Sequence, residues 1–312
     1  MKKLSISVLC VITSGLTACA TPPVAKMTLH ICDAETGNPV DQVAVRTQFK
    51  PNKNKRLVSK IMYSDTNGVC VVEGPINYVN MASGITKIGY YKSQAQLDFK
   101  GQNKILNRWE PWNPTLEVKL RPIKNPVSMV HKYIEWNVKI PVFNKPVGFD
   151  LEVGDWVAPY GKGKVSDFVF TAYEKITGAK VELGYSLNFS NKLDGIQEYL
   201  IDKKRNSSFI LPYKAPEQNY DSGLKKYLTS TGNIDVKTNL KMYNNDVYYI
   251  FRVRTSKDKD GNICANYGYI KRELEITSKG KFKFEYWLNT NSTSRSLEWI
   301  GNVPHDQRKN YK

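Results

Sequence analysis

The chain has little of the residue types that most often build metal or thiol sites. Its 312 residues include five cysteines and three histidines. The histidines, His30, His131 and His305, lie far apart, and none belongs to an HExxH or CxxC-type spacing that would bring ligands together locally. We therefore expect neither a metal nor another cofactor.

Two further absences bear on catalysis. No Gly-x-Ser-x-Gly segment is present, so the sequence lacks the serine hydrolase elbow. The run Gly161-Lys162-Gly163-Lys164 is not a phosphate-binding loop, because no glycine stands five residues before a Gly-Lys-Ser/Thr and a strand rather than a helix is predicted to follow. These absences favour a binding or structural role over catalysis.

An apolar run occurs only at the start of the chain. It extends from Leu4 to Leu16, follows Lys2 and Lys3, and is too short for a permanent membrane-spanning helix. The segment Leu16-Thr17-Ala18-Cys19 that ends it resembles the lipobox of bacterial lipoproteins. The resemblance implies removal of residues 1–18, diacylglyceryl transfer to Cys19 and acylation, for example with palmitate, of its new amino terminus. Ala20, where an aspartate would retain enterobacterial lipoproteins at the inner membrane, favours the outer membrane; an ordinary secretory signal cut near Ala18-Cys19-Ala20 is the alternative.

Charge of one sign dominates the composition. Lysine and arginine exceed aspartate and glutamate by 17, and an excess of 15 remains after Lys2 and Lys3 leave with the signal. In a protein tethered to a membrane, such a surface meets anionic lipid or envelope polymers before nucleic acid. We therefore expect the lipid bilayer, reached through acylated Cys19, and an anionic or glycan envelope component as partners, and no nucleic acid.

Three cysteines remain for the exported part of the chain, since Cys10 lies in the signal and Cys19 is the predicted acylation site. In an oxidising compartment, Cys32 and Cys70 form a candidate disulfide because both fall in the same predicted domain. Cys264 would then be free or intermolecular.

Residues 27–122 show a sequence pattern of alternating strands and turns. An Asp-x-x-Thr-Gly-x-Pro-Val pattern at residues 33–40 is followed by Ala44-Val45, by Ser64-Asp65 with Gly68, by Gly89-Tyr90, and by a strand ending in Leu120-x-Pro122. Together these resemble the carboxypeptidase regulatory-like, transthyretin-like β-sandwich family, which implies a spacer or accessory module without catalytic residues. Residues 19–26, with two prolines, are expected to form a tether.

A second domain is predicted over residues 127–312, after a proline-bracketed boundary at 121–126. Alternation with period two at 246–255 and 281–288 predicts strands of an antiparallel meander over 236–288, and 165–170 and 181–189 predict two more strands. Residues 224–228 could form one helical turn. The predicted fold is therefore all-β, with two tandem β-sandwich domains after a cleaved signal.

The segment 148–167 is the best candidate site because it combines glycines, aromatic residues, acids and lysines. The candidate ligand-binding residues are Asp155, Trp156, Tyr160, Lys162 and Asp167. The two aromatic rings would form a platform for a sugar, or would instead plug the end of the sandwich. A periplasmic hydrolase of envelope glycans or peptides, with acids such as Glu152, Asp155 and Asp167 at its site, is the alternative function.

Overall fold

The computed structural model is all-β and describes residues 21–51, 56–135, 138–178, 180–202, 206–231, 244–277 and 279–311. The predicted signal, residues 1–18, and the predicted acylation site Cys19 lie outside the described residues. In the described part of the chain, no helix is both long and apolar enough to cross a bilayer.

Among the described residues, the first domain contains nine strands in two sheets. They are β1 (Val24–Asp33), β2 (Ala44–Phe49), β3 (Val58–Tyr63), β4 (Val69–Pro75), β5 (Asn80–Thr86), β6 (Ser93–Asp98), β7 (Gly101–Asn103), β8 (Arg108–Glu110) and β9 (Thr115–Leu120). In one sheet, β1 pairs antiparallel with β4 and parallel with β9, and it meets the β7–β8 hairpin at Val24. The other sheet has the order β3-β2-β5-β6.

Side-chain alternation along β1 explains how the two sheets face each other. Ala25, Met27, Leu29 and Ile31 point inward and are at most 1% exposed, and they pack in one core with inward residues of β2, β5 and β6. The Asn-Gly turn that feeds β4 needs its glycine, because Gly68 has a φ of +72° and a Cβ there would lie 2.2 Å from the Ile31 carbonyl oxygen.

The expected tether, residues 19–26, is too long by three residues. β1 already begins at Val24, and the register pairs Val24 with Pro75 and Lys26 with Glu73. Thr21 to Pro23 precede the strand. The neighbouring prolines favoured a linker at residues 24–26, but these residues pair with β4 and belong to β1.

The candidate disulfide between Cys32 and Cys70 is wrong, because both thiols are free. Cys70 stands opposite Leu29, three residues along β1 from Cys32, which corresponds to about 10 Å of strand. Cys70 lies in the core, whereas Cys32 is half-buried next to the inward Ile31, on the other face of β1. A bridge would require a much closer approach, and burial raises the pKa of both thiols.

The described part of the second domain contains ten strands, again in two sheets. They are β10 (Val130–Ile134), β11 (Val147–Asp150), β12 (Asp155–Trp156), β13 (Phe168–Thr177), β14 (Lys180–Asn188), β15 (Gly195–Leu200), β16 (Gly223–Thr231), β17 (Val247–Lys257), β18 (Ile263–Ile276) and β19 (Phe282–Leu288). One sheet has the order β10-β19-β18-β17-β15 and the other β12-β11-β13-β14-β16. Two short 3-10 helices, Ile300–Asn302 and His305–Tyr311, follow.

The predicted tandem β-sandwich architecture is confirmed. β17, β18 and β19 form the antiparallel meander expected from period two, and the alternate residues Val247, Tyr249, Phe251 and Val253 are all at most 2% exposed. The prediction of a helical turn at 224–228 is wrong, because these residues belong to β16 and pair with β14. The part of the predicted meander at 236–243 lies outside the described residues.

The β10-β19-β18-β17-β15 sheet is buried on both faces. Its inner face packs against the second sheet, while its outer face contributes Ile250, Tyr267 and Trp287 to a separate apolar cluster that also contains Tyr91 of the first domain. The hydroxyl of Tyr91 donates to Oε1 of Glu298 at 3.0 Å, and Glu298 is only 1% exposed. The two domains are therefore joined through a packed and hydrogen-bonded interface.

Candidate functional site

The aromatic platform predicted in the glycine-rich segment is not formed, because Trp156 is 4% exposed. Its ring meets Phe149 edge-on at 5.1 Å and Phe170 at 5.9 Å between centroids, so it belongs to the sandwich core. Tyr160 is 49% exposed, and Lys162 is exposed as well. The prediction that Trp156 binds a ligand is wrong. The alternative, in which both rings plug the sandwich, is correct for Trp156 but not for Tyr160.

Asp155 closes the loop that follows Trp156. Its Oδ1 accepts a hydrogen bond from the Trp156 amide at 2.8 Å and its Oδ2 one from the Lys162 amide at 2.9 Å. The loop passes so closely over itself that a Cβ on Gly161 would lie 2.4 Å from the Trp156 carbonyl oxygen. The glycine in this segment thus permits a tight turn.

Three acids of the segment converge on one arginine of β17. Nε of Arg254 donates to Oδ1 of Asp167 at 2.8 Å, and Nη2 donates to Oδ2 at 2.9 Å. Glu152 also pairs with Nη1, and Asp150 lies 3.3 Å from Nη2. The hydrogen bonds to Asp167, which outweigh the effect of burial, raise the pKa of Arg254 and keep it charged.

Backbone amides use the remaining acceptor positions of the two buried acids. Oδ2 of Asp150 accepts from the amides of Lys164 and Val165 at 2.9 and 3.0 Å, and Oδ2 of Asp167 also accepts from the Leu151 amide at 2.9 Å. Burial alone would raise the pKa of Asp150, but these amides and the Arg254 charge together outweigh it and lower that pKa.

This acid cluster has a structural role that the sequence did not indicate. Asp167 is 1% and Asp150 is 2% exposed, so among these three acids only Glu152 is open to solvent. The prediction that Asp167 binds a ligand is wrong, because its carboxylate is buried and both of its oxygens accept hydrogen bonds.

A glycoside hydrolase needs two acids that flank a substrate, and this cluster does not supply such a pair. In the described residues, no three His, Cys, Asp or Glu side chains group as a metal site would require.

A cleft of about 770 Å³ lies where the two domains meet. The first domain supplies residues 34–35, 93–96, 116–119 and 121, and the second supplies 202, 206, 207 and 213. The polar side chains that line it are Glu35, Ser93, Gln94, Gln96, Glu117, Lys119, Arg121, Asp202, Asn206, Ser207 and Tyr213. Sequence reasoning missed this site because its residues come from distant segments that carry no local motif.

Arg121 holds the two sides of the cleft together. Its Nη1 donates to the carbonyl oxygens of Phe209 and Leu211 at 3.0 and 2.7 Å. Its guanidinium lies 4.7 Å from the centroid of the Phe209 ring and 4.5 Å from that of the Tyr213 ring, and the side chain is 8% exposed. A buried cation satisfied by carbonyls and aromatic faces fixes the second domain against the first.

Tyr213 connects the cleft to a second cavity of about 380 Å³. Lys124, Lys214 and Arg295 line this cavity with Glu298. Nζ of Lys124 lies 4.4 Å from the centroid of the Tyr213 ring and 2.5 Å from Oε1 of Glu35, which lines the cleft. Burial, only partly offset by the charge of Arg121, raises the pKa of Tyr213 to about 12, so its hydroxyl stays protonated and donates to the Pro122 carbonyl oxygen.

Comparison with known proteins adds three remote structural likenesses. No family profile and no curated protein matches the chain. A protein named as a candidate carbohydrate-binding protein from Bacteroides uniformis is 12% identical, with 85% of this chain and 96% of that chain covered and a TM-score of 0.22. A DUF3823 family protein from Parabacteroides merdae is 8% identical (89% and 99% covered, TM-score 0.20), and BcpA, the major pilin subunit of Bacillus cereus, is 12% identical (88% and 97% covered, TM-score 0.22). TM-scores this low do not establish a common fold.

Proposed function

We propose that this chain is a lipid-anchored protein of the bacterial cell envelope that binds a glycan in the cleft between its domains. The lipobox-like segment that ends in Cys19 supports the anchor, and Ala20 supports the outer membrane as its location. The N-terminal sandwich would act as the spacer that the family resemblance implies. The observation that carries the binding role is the polar lining of the cleft.

The volume and the chemistry of the cleft suit a short stretch of sugar. Ligand sites typically enclose about 300–1,000 Å³, and this cleft has about 770 Å³. Gln94, Gln96 and Asn206 offer side-chain amides, each able to donate and accept hydrogen bonds to sugar hydroxyls. The half-buried side chain of Leu116 offers apolar surface for a C–H face of the same sugar.

The described lining of the cleft carries charge of both signs. Its acids are Glu35, Glu117 and Asp202, and its cations are Lys119 and Arg121. Carboxylates accept hydrogen bonds from sugar hydroxyls, and lysine and arginine donate hydrogen bonds to the hydroxyl or acidic groups of a glycan. This mixture of charges suits the glycan that the proposal assigns to the cleft.

Hydrogen bonds across the domain interface also support a binding role. Arg121 of the first domain donates to the Phe209 and Leu211 carbonyls, and Glu298 of the second accepts from Tyr91, so the two walls of the cleft are bonded to each other. A preformed site loses less conformational freedom when a ligand binds. The hydrolase alternative is less well supported, because Glu152 and Asp167 contact Arg254 and Asp155 accepts hydrogen bonds from backbone amides.

The test is a screen of the purified protein against glycans and envelope polymers, with variants of the cleft alongside. Gln94→Ala combined with Glu117→Ala removes two polar lining groups, and we expect at least about a tenfold loss of affinity for whichever glycan binds. Gln102→Ala combined with Glu198→Ala is the matched control, because both residues are exposed and neither lines the cleft. Equal affinity of the two double variants, or no glycan binding at all, would refute the proposal.

A further inference from the structure

One end of the first sandwich exposes large apolar side chains beside the start of the described chain. Two loops at this end carry four of them: Tyr78 is 52% and Val79 is 64% exposed, and at the tip of the β7–β8 hairpin Ile105 is 95% and Leu106 is 56% exposed. Exposed apolar residues on separate loops that meet at one end of a domain are typical of an interaction surface. We name the loops 76–79 and 104–107 together the apolar end.

Hydrogen bonds fix the apolar end to the N-terminal segment. The side-chain amide of Asn107 donates to the carbonyl oxygen and to Oγ1 of Thr21, each at 3.3 Å. The Val24 amide donates to the Asn107 carbonyl oxygen at 2.9 Å, and the Ile76 amide donates to the Pro23 carbonyl oxygen at 3.0 Å. Both loops are therefore held directly against the residues through which the chain enters the fold.

Strand directions place the second domain at the opposite end of this sandwich. β1 begins at the apolar end and finishes at Asp33, and β9, parallel to it, finishes at Leu120, immediately before the domain boundary. The loop at 87–92, which contacts the second domain through Tyr91, lies at that far end as well, because β5 begins next to Val79 and ends at Thr86. The cleft therefore faces away from the apolar end.

We infer that the apolar end docks on the membrane surface, with Ile105 and Leu106 inserted at the level of the lipid headgroups. The inference rests on the proposed lipid anchor at Cys19. Only Ala20 lies between Cys19 and Thr21, and two residue steps allow at most about 7 Å of extended chain. An anchor this short brings the apolar end to the bilayer, where its side chains lose contact with water.

Charge next to the tip agrees with a lipid surface. Lys104 at the tip of the hairpin and Lys100 before it are both exposed, and Asp98 is an exposed acid nearby. Glu110 is paired with Arg108 at 2.9 Å, so its charge is compensated. Lysines that flank inserted apolar residues contact phosphate groups of the headgroup layer.

The test compares tryptophan placed at the two ends of the same sandwich. Ile105→Trp reports on the apolar end, and Ile88→Trp is the matched control, since Ile88 is 77% exposed at the other end, about 23 Å away along the seven residues of β5. Protein on vesicles of phosphatidylglycerol and bromine-labelled phosphatidylcholine is compared with protein on unlabelled vesicles, and the quenching of the unsubstituted protein is subtracted. We expect Ile105→Trp to be quenched at least about twofold more strongly than Ile88→Trp.

The mass of the N-terminal peptide from the same preparation tests the anchor separately. If Cys19 carries no acyl groups, the anchor proposal fails, and the comparison is repeated with the protein held on nickel-chelating lipid by an N-terminal histidine tag. Equal quenching at the two positions overturns the docking inference, whether the protein is held on the vesicle by its acyl groups or by the histidine tag. Quenching at position 105 that depends on protein concentration and not on the bromine-labelled lipid also overturns the inference. Such quenching would show that the apolar end contacts a second copy of the chain.

Discussion

Arg254 and Asp167 form a two-point ion pair that joins the two sheets of the second domain. Nε and Nη2 of Arg254 meet the two oxygens of Asp167 at 2.8 and 2.9 Å. Arg254 lies in β17, at a bulge where its φ is +54°, and Asp167 immediately precedes β13 in the facing sheet. At this end of the sandwich, an ion pair rather than an apolar contact connects the two sheets.

Removing the cation should therefore destabilise the second domain strongly. Arg254→Met leaves two buried carboxylates without their countercharge, and we expect the free energy of unfolding to fall by about 3–5 kcal/mol in urea titrations. Arg252→Met is the matched control in the same strand, because Arg252 donates to the backbone carbonyls of Leu193 and Glu217 and covers the Tyr220 ring; its expected cost is about 1 kcal/mol. Similar losses in both variants would contradict the role given to the Arg254 cluster.

The lowered pKa of Asp150 predicts a specific loss of stability in acid. Because the folded-state pKa lies below the ordinary 3.8, this carboxylate stabilises the fold above about pH 4, and the contribution disappears as pH falls through the folded pKa. Urea midpoints measured between about pH 5 and pH 2 should fall less steeply in Asp150→Asn than in the unsubstituted protein. Parallel pH profiles would show that Asp150 does not contribute.

Substitution of the two aromatic residues in the glycine-rich loop should separate packing from surface effects. Trp156→Ala removes a ring from an aromatic core and is expected to cost about 3–5 kcal/mol of folding free energy. Tyr160→Ala, at a half-exposed position, is expected to change it by less than about 0.5 kcal/mol. Thermal unfolding of the two variants measures the difference, and a stable Trp156→Ala protein would show that the ring is not part of the core.

The coupling between the domains is expected to depend on Arg121. In the unsubstituted protein, a single calorimetric transition is expected because the interface is packed and hydrogen-bonded. Arg121→Met should split or broaden this transition, while Lys119→Met, at an exposed residue that lines the same cleft, should leave it intact. If Arg121→Met still unfolds in one sharp transition at the original temperature, the arginine does not couple the domains.

Local pattern was sufficient to predict much of the fold. Period-two alternation at 246–255 and 281–288 correctly identified β17 and β19, since each strand has one face in the core. The turn at Gly68 was correctly predicted because Asn-Gly tolerates positive φ. The prediction of a helical turn at 224–228 failed, because pairing with β14 overrides the weak local preference of these residues for a helix.

The functional features depended on contacts that no local pattern encodes. Arg254 meets Asp167 across 87 residues of chain, and Arg121 meets Phe209 across 88. In the glycine-rich segment, composition alone could not separate a buried Trp156 from an exposed platform, because both uses favour aromatic residues beside glycine. The cleft is assembled only when the two domains pack together, so it could not be read from either domain alone.

The most direct test of the central claim is a crystal structure of the protein with the tightest-binding glycan from the screen. We predict electron density for the sugar in the interdomain cleft, with hydrogen bonds to Gln94 or Glu117 and an apolar contact with Leu116. Density at the exposed Tyr160, or anywhere outside the cleft, would contradict the account and return the glycine-rich loop to consideration as the binding site.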